Sequence, residues 1–137
     1  MAARDKRSAS SFIHGFRYNV RTLFHLLEER YQGVSLPAEE FELRAKQELI
    51  ALAGHIIDRV SVSSGLYQMN AFLCDVILVS SGKARYIREL PIDLVEERRD
   101  FHQADHVFTV TLEYGFHNYS SSLQSVDFIR PSDALRN

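Results

Sequence analysis

Apolar residues recur at three- and four-residue steps early in the chain: Phe12, Ile13, Phe16, Val20, Leu23, Phe24, Leu27 and Tyr31. At about 100° per residue they fall in a stripe roughly 120° wide, which predicts a core-facing amphipathic helix to about Tyr31. His14, Arg17, Arg21 and His25 form the opposite, cationic face. Arg17 and Arg21 stand four apart with like charge, which costs an isolated helix about a few tenths of a kcal/mol. An anionic neighbour would offset that cost. Ser10 or Ser11 can cap this helix with a hydroxyl, and Gly33 suits the left-handed residue beyond its end.

A second helical pattern runs from Ala38 to Ser63 through Phe41, Leu43, Leu49, Ile50, Leu52, Ala53, Ile56, Ile57 and Val60. Gly54 is expected to kink or divide it, since glycine there costs about 1 kcal/mol relative to alanine. Ser63-Ser64-Gly65 stops it, and Leu66 to Asn70 reads as a connection. Phe72 to Val79 is a nearly continuous apolar run, the pattern of a strand buried on both faces. Ser80-Ser81-Gly82-Lys83 is a hairpin turn, Ala84 to Leu90 the return strand, and Ile92 to Phe101 a short charged helix. Val107 to Tyr114 alternates, with Phe108, Val110, Leu112 and Tyr114 on one face. The fold class is α+β: amino-terminal helices followed by a small, largely antiparallel sheet.

Charge changes the picture only locally. The net charge of −2 argues against general nucleic-acid binding. Residues 1–27 carry Arg4, Lys6, Arg7, Arg17 and Arg21 against Asp5, so this end is cationic and the remainder acidic. Asp75 interrupts the apolar run and needs a partner there; Arg85 or Arg88 across the hairpin is the expected one. The single cysteine, Cys74, excludes an intramolecular disulfide and a cysteine-cluster metal site, and it reads as a small buried hydrophobe. His102 and His106 have helical ligand spacing but lie in a polar connection, so a metal is not expected. Asn118-Tyr119-Ser120 is a glycosylation sequon. No run of eighteen apolar residues spans a membrane. No secretory signal peptide precedes the first helix, which suggests a cytoplasmic location for a complete chain. Residues 1–27 also have the basic, amphipathic composition of a mitochondrial transit peptide.

Arg4-Asp5-Lys6-Arg7-Ser8 and Phe12-Ile13-His14-Gly15-Phe16-Arg17-Tyr18-Asn19-Val20-Arg21 resemble a late flavin-domain segment of the FAD-dependent oxidoreductase domain-containing proteins. That family includes the flavoprotein associated with endoplasmic-reticulum degradation. Ser64-Gly65-Leu66-Tyr67-Gln68-Met69, Asp75-Val76-Ile77-Leu78, Leu90-Pro91 and Glu113-Tyr114-Gly115 resemble the same family's region beyond the flavin domain. The resemblance covers the carboxyl part of such an enzyme. It implies FAD and NADPH, flavin-monooxygenase-like oxidoreduction, and members in the endoplasmic-reticulum lumen. It divides the chain into 1–33 (end of a flavin-binding domain), 34–116 (accessory α+β region) and 117–137 (a flexible tail).

By the same resemblance Ser11, Phe12, Ile13 and Arg17 border the cofactor, with a helix amino terminus facing the anionic edge of a reduced flavin. The family usually has glycines where Ser10 and Ser11 stand. The chain carries no G-x-G-x-x-G and no P-loop, so FAD is not expected to be retained by this chain alone. The partners expected are the missing flavin-domain half or another protein on the first helix's apolar face, or a second copy through self-association. Two alternatives are a non-enzymatic interaction module and a small mitochondrial protein behind a transit peptide.

Overall fold

The computed structural model describes residues 13–69 and 72–112. Its elements run α1 (Ile13–Gln32), β1 (Ala38–Glu42), α2 (Lys46–Val62), α3 (Ser64–Gln68), β2 (Leu73–Ser80), β3 (Lys83–Pro91), α4 (Ile92–Glu97), a 3-10 turn (Phe101–Gln103) and β4 (His106–Val110). The four strands form one antiparallel sheet in the order β1-β3-β2-β4. This is the α+β architecture that the patterning implies. The expected Ser10 or Ser11 cap, the sequon and the tail lie outside the described residues.

The hairpin β2–β3 is the centre. Ser81 and Gly82 both take left-handed φ, 51° and 75°, the two-residue turn that matches strand twist. Because β2 is covered on both faces, Leu73 to Leu78 are all buried. Cys74, Val76 and Leu78 join Leu36, Ile87, Leu90, Val95 and Phe101 on one face, with Leu26 of α1 packed against them. Ile77, Ala84 and Tyr86 meet Leu52 of α2 on the other, flanked by Phe41, Ile56, Phe108 and Val110.

The residues read as a stop and connection form helix α3, capped by the Ser63 hydroxyl on the Leu66 amide; the charged helix ends at Glu97, and β4 ends at Val110. Two larger departures from the sequence pattern have physical causes. Ala38–Glu42 is an edge strand rather than the start of a helix, paired with β3 from Ala38↔Ile87 to Glu42↔Lys83. Three glutamates favour helix locally, but β3 offers an open edge and cross-strand cations. Glu39 bonds Arg88, and Lys83 lies 3.0 Å from Glu42; pairing of this kind overrides propensity. Helix α2 therefore starts at Lys46, where the Glu48 carboxylate accepts from the Arg44 and Ala45 amides at 2.6 and 2.9 Å. It then passes through Gly54 undivided.

The second departure is α1, whose stripe faces outward. Phe16, Val20, Leu23, Phe24, Leu27 and Tyr31 are 45–68% exposed. The helix instead buries Gly15, Tyr18 and Thr22, with Leu26 half-buried, on the side that carries Arg21 and His25. Tyr18 packs with Met69 and Leu73. Gly33 ends the helix at φ 68°, its amide donating to the Glu29 carbonyl at 3.2 Å.

The sheet core and the helix surfaces should respond differently to truncation. Ile87→Ala, at a site 2% exposed, is expected to cost about 2–5 kcal/mol. Ile57→Ala, at a site 65% exposed on α2, should stay within about 0.5 kcal/mol. Urea midpoints of the two variants measure the contrast.

Candidate functional site

The described residue that gathers most structure around it is Glu89. The register of β2 with β3 steps from Cys74↔Leu90 to Val76↔Ile87, so Arg88 and Glu89 together stand opposite Asp75. This is a one-residue bulge on β3. Glu89 carries a left-handed φ of 57°, which costs a side-chain-bearing residue about 1–2 kcal/mol. The bulge also changes the phase of the strand, so Glu89 is 3% exposed beside the buried Leu90.

Its polar groups are engaged by three other elements. The amide donates to Asp75 Oδ1 at 2.8 Å, and the carbonyl accepts from Thr22 Oγ1 at 2.7 Å. Carboxylate Oε1 accepts from Arg59 Nη2 at 2.7 Å, and Oε2 from Arg21 Nη2. Arg59 also donates through Nε to Asp75 Oδ2 at 3.0 Å, and Tyr86 Oη donates to that oxygen at 2.7 Å. Two buried carboxylates are thus matched by two guanidiniums. Gly65 of α3 makes room, since a Cβ there would sit 2.3 Å from Glu89 Oε1 and 3.1 Å from the Tyr18 ring.

Burial pushes the Asp75 carboxyl above its ordinary value, while Arg59, Tyr86 and the Glu89 amide pull the other way. All three neighbours donate to it. Burial also opposes the charge on Arg59, but Asp75 and Glu89 outweigh it and the guanidinium holds its proton more tightly. The Tyr86 phenol is raised, first by burial and then by Asp75; it acts as a donor and not as a base.

Beside this network a cleft of about 480 Å³ opens between α1 and β3. Tyr18, Arg21, Thr22 and His25 form one wall, and Tyr86 to Leu90 the other. Glu39 of β1 and Arg59, Ser64 and Gly65 complete it. Each arginine here already has a carboxylate: Arg21 and Arg59 have Glu89, and Arg88 has Glu39.

The expected partners of Asp75 are therefore corrected. Arg85 and Arg88 are exposed on β3, and Arg59 of α2 takes the carboxylate instead. The offset to the Arg17/Arg21 repulsion is Glu89. Of the residues expected near a flavin, Ser11 and Phe12 lie outside the described residues, and Ile13 opens the backbone of α1. Arg17 is exposed and donates to Tyr18 Oη at 2.6 Å, its guanidinium 4.7 Å from that ring.

His102 Nε2 lies 3.1 Å from the Glu96 carbonyl, and His106 is tilted against Phe108. Among the described residues no three His, Cys, Asp or Glu side chains form a metal cluster. Cys74 is fully buried, its Sγ donating to the Leu90 carbonyl at 3.4 Å. No described helix is long and apolar enough to cross a membrane.

Glu89, Arg59, Tyr86 and Gly65 were not singled out by residue chemistry. One signal was available: β3 reads Tyr86-Ile87 and then Arg88-Glu89, a double phase slip in a period-two pattern, which is how a bulge appears in sequence.

The chain is similar to FAD-dependent oxidoreductase domain-containing protein 2 of Mus musculus, 37% identical over 115 residues covering 80% of this chain and 16% of that protein. It is 36% identical over 96 residues to the protein of the same name from Danio rerio, covering 69% of this chain and 13% of that one. The chain thus spans about a sixth or less of the length of these relatives. No family model matches the chain, and no solved structure does.

Gly65→Ala tests the close approach. It is expected to cost about 1–3 kcal/mol through overpacking against Glu89, whereas Gly54→Ala, with nothing within 4 Å of the added Cβ, should be neutral or stabilising. Asp75→Asn tests the titration. A folded carboxyl raised above the free value of 3.8 contributes most at acid pH, and that contribution is lost as pH rises through the folded value. The urea-midpoint gap between wild type and variant should therefore be wider near pH 4 than near pH 7. A gap that widened toward neutral pH would mean that Arg59 outweighs burial.

Proposed function

We infer that this chain, which belongs to the FAD-dependent oxidoreductase domain-containing family, is a carboxyl-terminal segment of a flavoenzyme and inactive by itself. In this reading residues 1–33 close a flavin-binding domain and 34–116 form the accessory region behind it. The whole enzyme would be an NADPH-dependent, monooxygenase-like oxidoreductase linked to endoplasmic-reticulum-associated degradation, as the family resemblance implies.

One observation carries the reading. Helix α1 is seated on the sheet by its polar side and turns Phe16, Val20, Leu23, Phe24, Leu27 and Tyr31 outward. Six large apolar side chains exposed together on one helix face are the kind of patch that marks an interaction surface. A flavin domain continuing on that face would cover it. The same exposed stripe also supports the weaker alternative, self-association through α1.

The residues present do not by themselves fit FAD. The arginines lining the cleft are each paired with a carboxylate, and the sequence supplies no glycine-rich turn for a pyrophosphate. No chemical step is therefore assigned to these side chains.

Two measurements test the proposal. Purified chain should be colourless, with no flavin released on denaturation; a stoichiometric yellow preparation would overturn the view that it is incomplete. Phe16→Glu with Phe24→Glu should leave thermal stability within about 1 kcal/mol, because surface changes away from special features do little. Sedimentation of the same variant should show less self-association than wild type. An unfolded double variant would instead mean that the stripe is buried within this chain.

A further inference from the structure

Among the described residues, the groups that seat helix α1 can be traced along its length. Toward its carboxyl end, Glu29 accepts from Arg98 at 2.6 and 2.9 Å, and Leu26 touches the sheet core. In its amino-terminal half Tyr18 packs on Met69 and Leu73. Two further hydrogen bonds, Arg21 to the Glu89 carboxylate and Thr22 to the Glu89 carbonyl, end on one residue. That residue has a backbone conformation that glycine would adopt without strain, yet it is a glutamate with a carboxylate 3% exposed. A bulge alone would be served by glycine. The carboxylate is what the left-handed geometry delivers, aimed between α1 and α2.

We propose that Glu89 is a conformational latch that holds α1 over the cleft, so that losing its carboxylate bond releases α1 as a unit while the sheet, α2 and α4 stay folded. The arrangement of charges makes release feasible. Arg21 is 55% exposed and can return to water, and Arg59, 11% exposed, keeps Asp75 as its partner. When the Glu89 carboxylate is neutralised, Arg59 and Asp75 still balance each other and no isolated charge is stranded in the core. Release uncovers the wall formed by Tyr86 to Leu90 and moves the outward apolar face of α1 relative to the sheet. Anything bound to that face is thereby coupled to the bulge of β3. The latch is a property of this chain's residues and holds whether or not α1 borders a flavin.

The test is hydrogen exchange on the full 137-residue chain, comparing amides of α1 with those of Val76–Val79 in β2. Glu89→Gln is expected to raise exchange across α1 by about tenfold, the equivalent of one charge-assisted bond, and to leave β2 within a factor of about three. Glu89→Gly separates the two roles of the residue, since it relieves the backbone while removing the carboxylate. A latch requires α1 to lose protection in this variant too; if α1 stays protected, residue 89 serves only the bend and the proposal falls.

Arg21→Gln keeps Glu89 in place and paired with Arg59, so it remains informative if either Glu89 variant fails to fold. It should reproduce the α1-selective loss, and Arg21→Gln combined with Glu89→Gln should add nothing further. Equal loss of protection in α1 and β2, or none in either, would overturn the latch.

Discussion

The structure depends on removing two carboxylates from water side by side on adjacent strands. Asp75 and Glu89 are 0% and 3% exposed, and an unpaired charge in such a place costs several kcal/mol. Arg59 resolves this because a guanidinium is a rigid fork. Its Nε reaches one strand and its Nη2 the next, which a lysine ammonium could not do with the same geometry. Removing Arg59 would leave both carboxylates without their shared buried partner, a loss of commonly about 3–5 kcal/mol. The α2 orientation and the β3 bulge are therefore mutually dependent, and the α1 seat is added to them through Arg21. A single arginine stands at their intersection.

From this follows the division of labour between polar and apolar contacts. The sheet is held by burial on both faces, with Val76, Ile77, Ile87 and Tyr86 all 4% exposed or less. Helix α1 adds to the apolar contacts of Tyr18 and Leu26 the hydrogen bonds from Arg21 and Thr22 and the bidentate Glu29–Arg98 pair. Burial of apolar area is non-directional, whereas these bonds fix azimuth. They fix α1 with its aromatic side outward.

Much of the fold was legible because its signals were local. The run Phe72–Val79, the Ser81-Gly82 turn and the alternation through Phe108 and Val110 each answer to a period or a backbone requirement that a short window contains. The Ala38–Glu42 strand was not legible, since its identity rests on the open edge of β3, some fifty residues away. For the same reason Asp75 announced that it needed a partner but not which one. Two arginines across the hairpin were nearer in sequence than Arg59, yet the pleat turns Arg85 away from the face on which Asp75 lies. Periodicity likewise located the apolar stripe of α1 but could not say which side of the helix this chain would bury. A stripe records that some apolar surface is to be covered, and the covering surface need not belong to the same segment.

That last point reconciles a helix that appears inside out with a chain that is otherwise conventionally packed. Tyr18 and Leu26 do face the sheet side, but the wider apolar stripe of α1 faces away from it. Seating the helix by its narrower side is helped by Glu89, which receives Arg21, and by Gly65, which leaves space for that carboxylate. The chain retains a polar seat on one side of α1 and an apolar surface on the other. Charge-matched bonds set the angle of this helix on the sheet, and its outward apolar face is left for burial against another surface. That division of faces is what the proposal that residues 1–33 close a flavin-binding domain requires of α1.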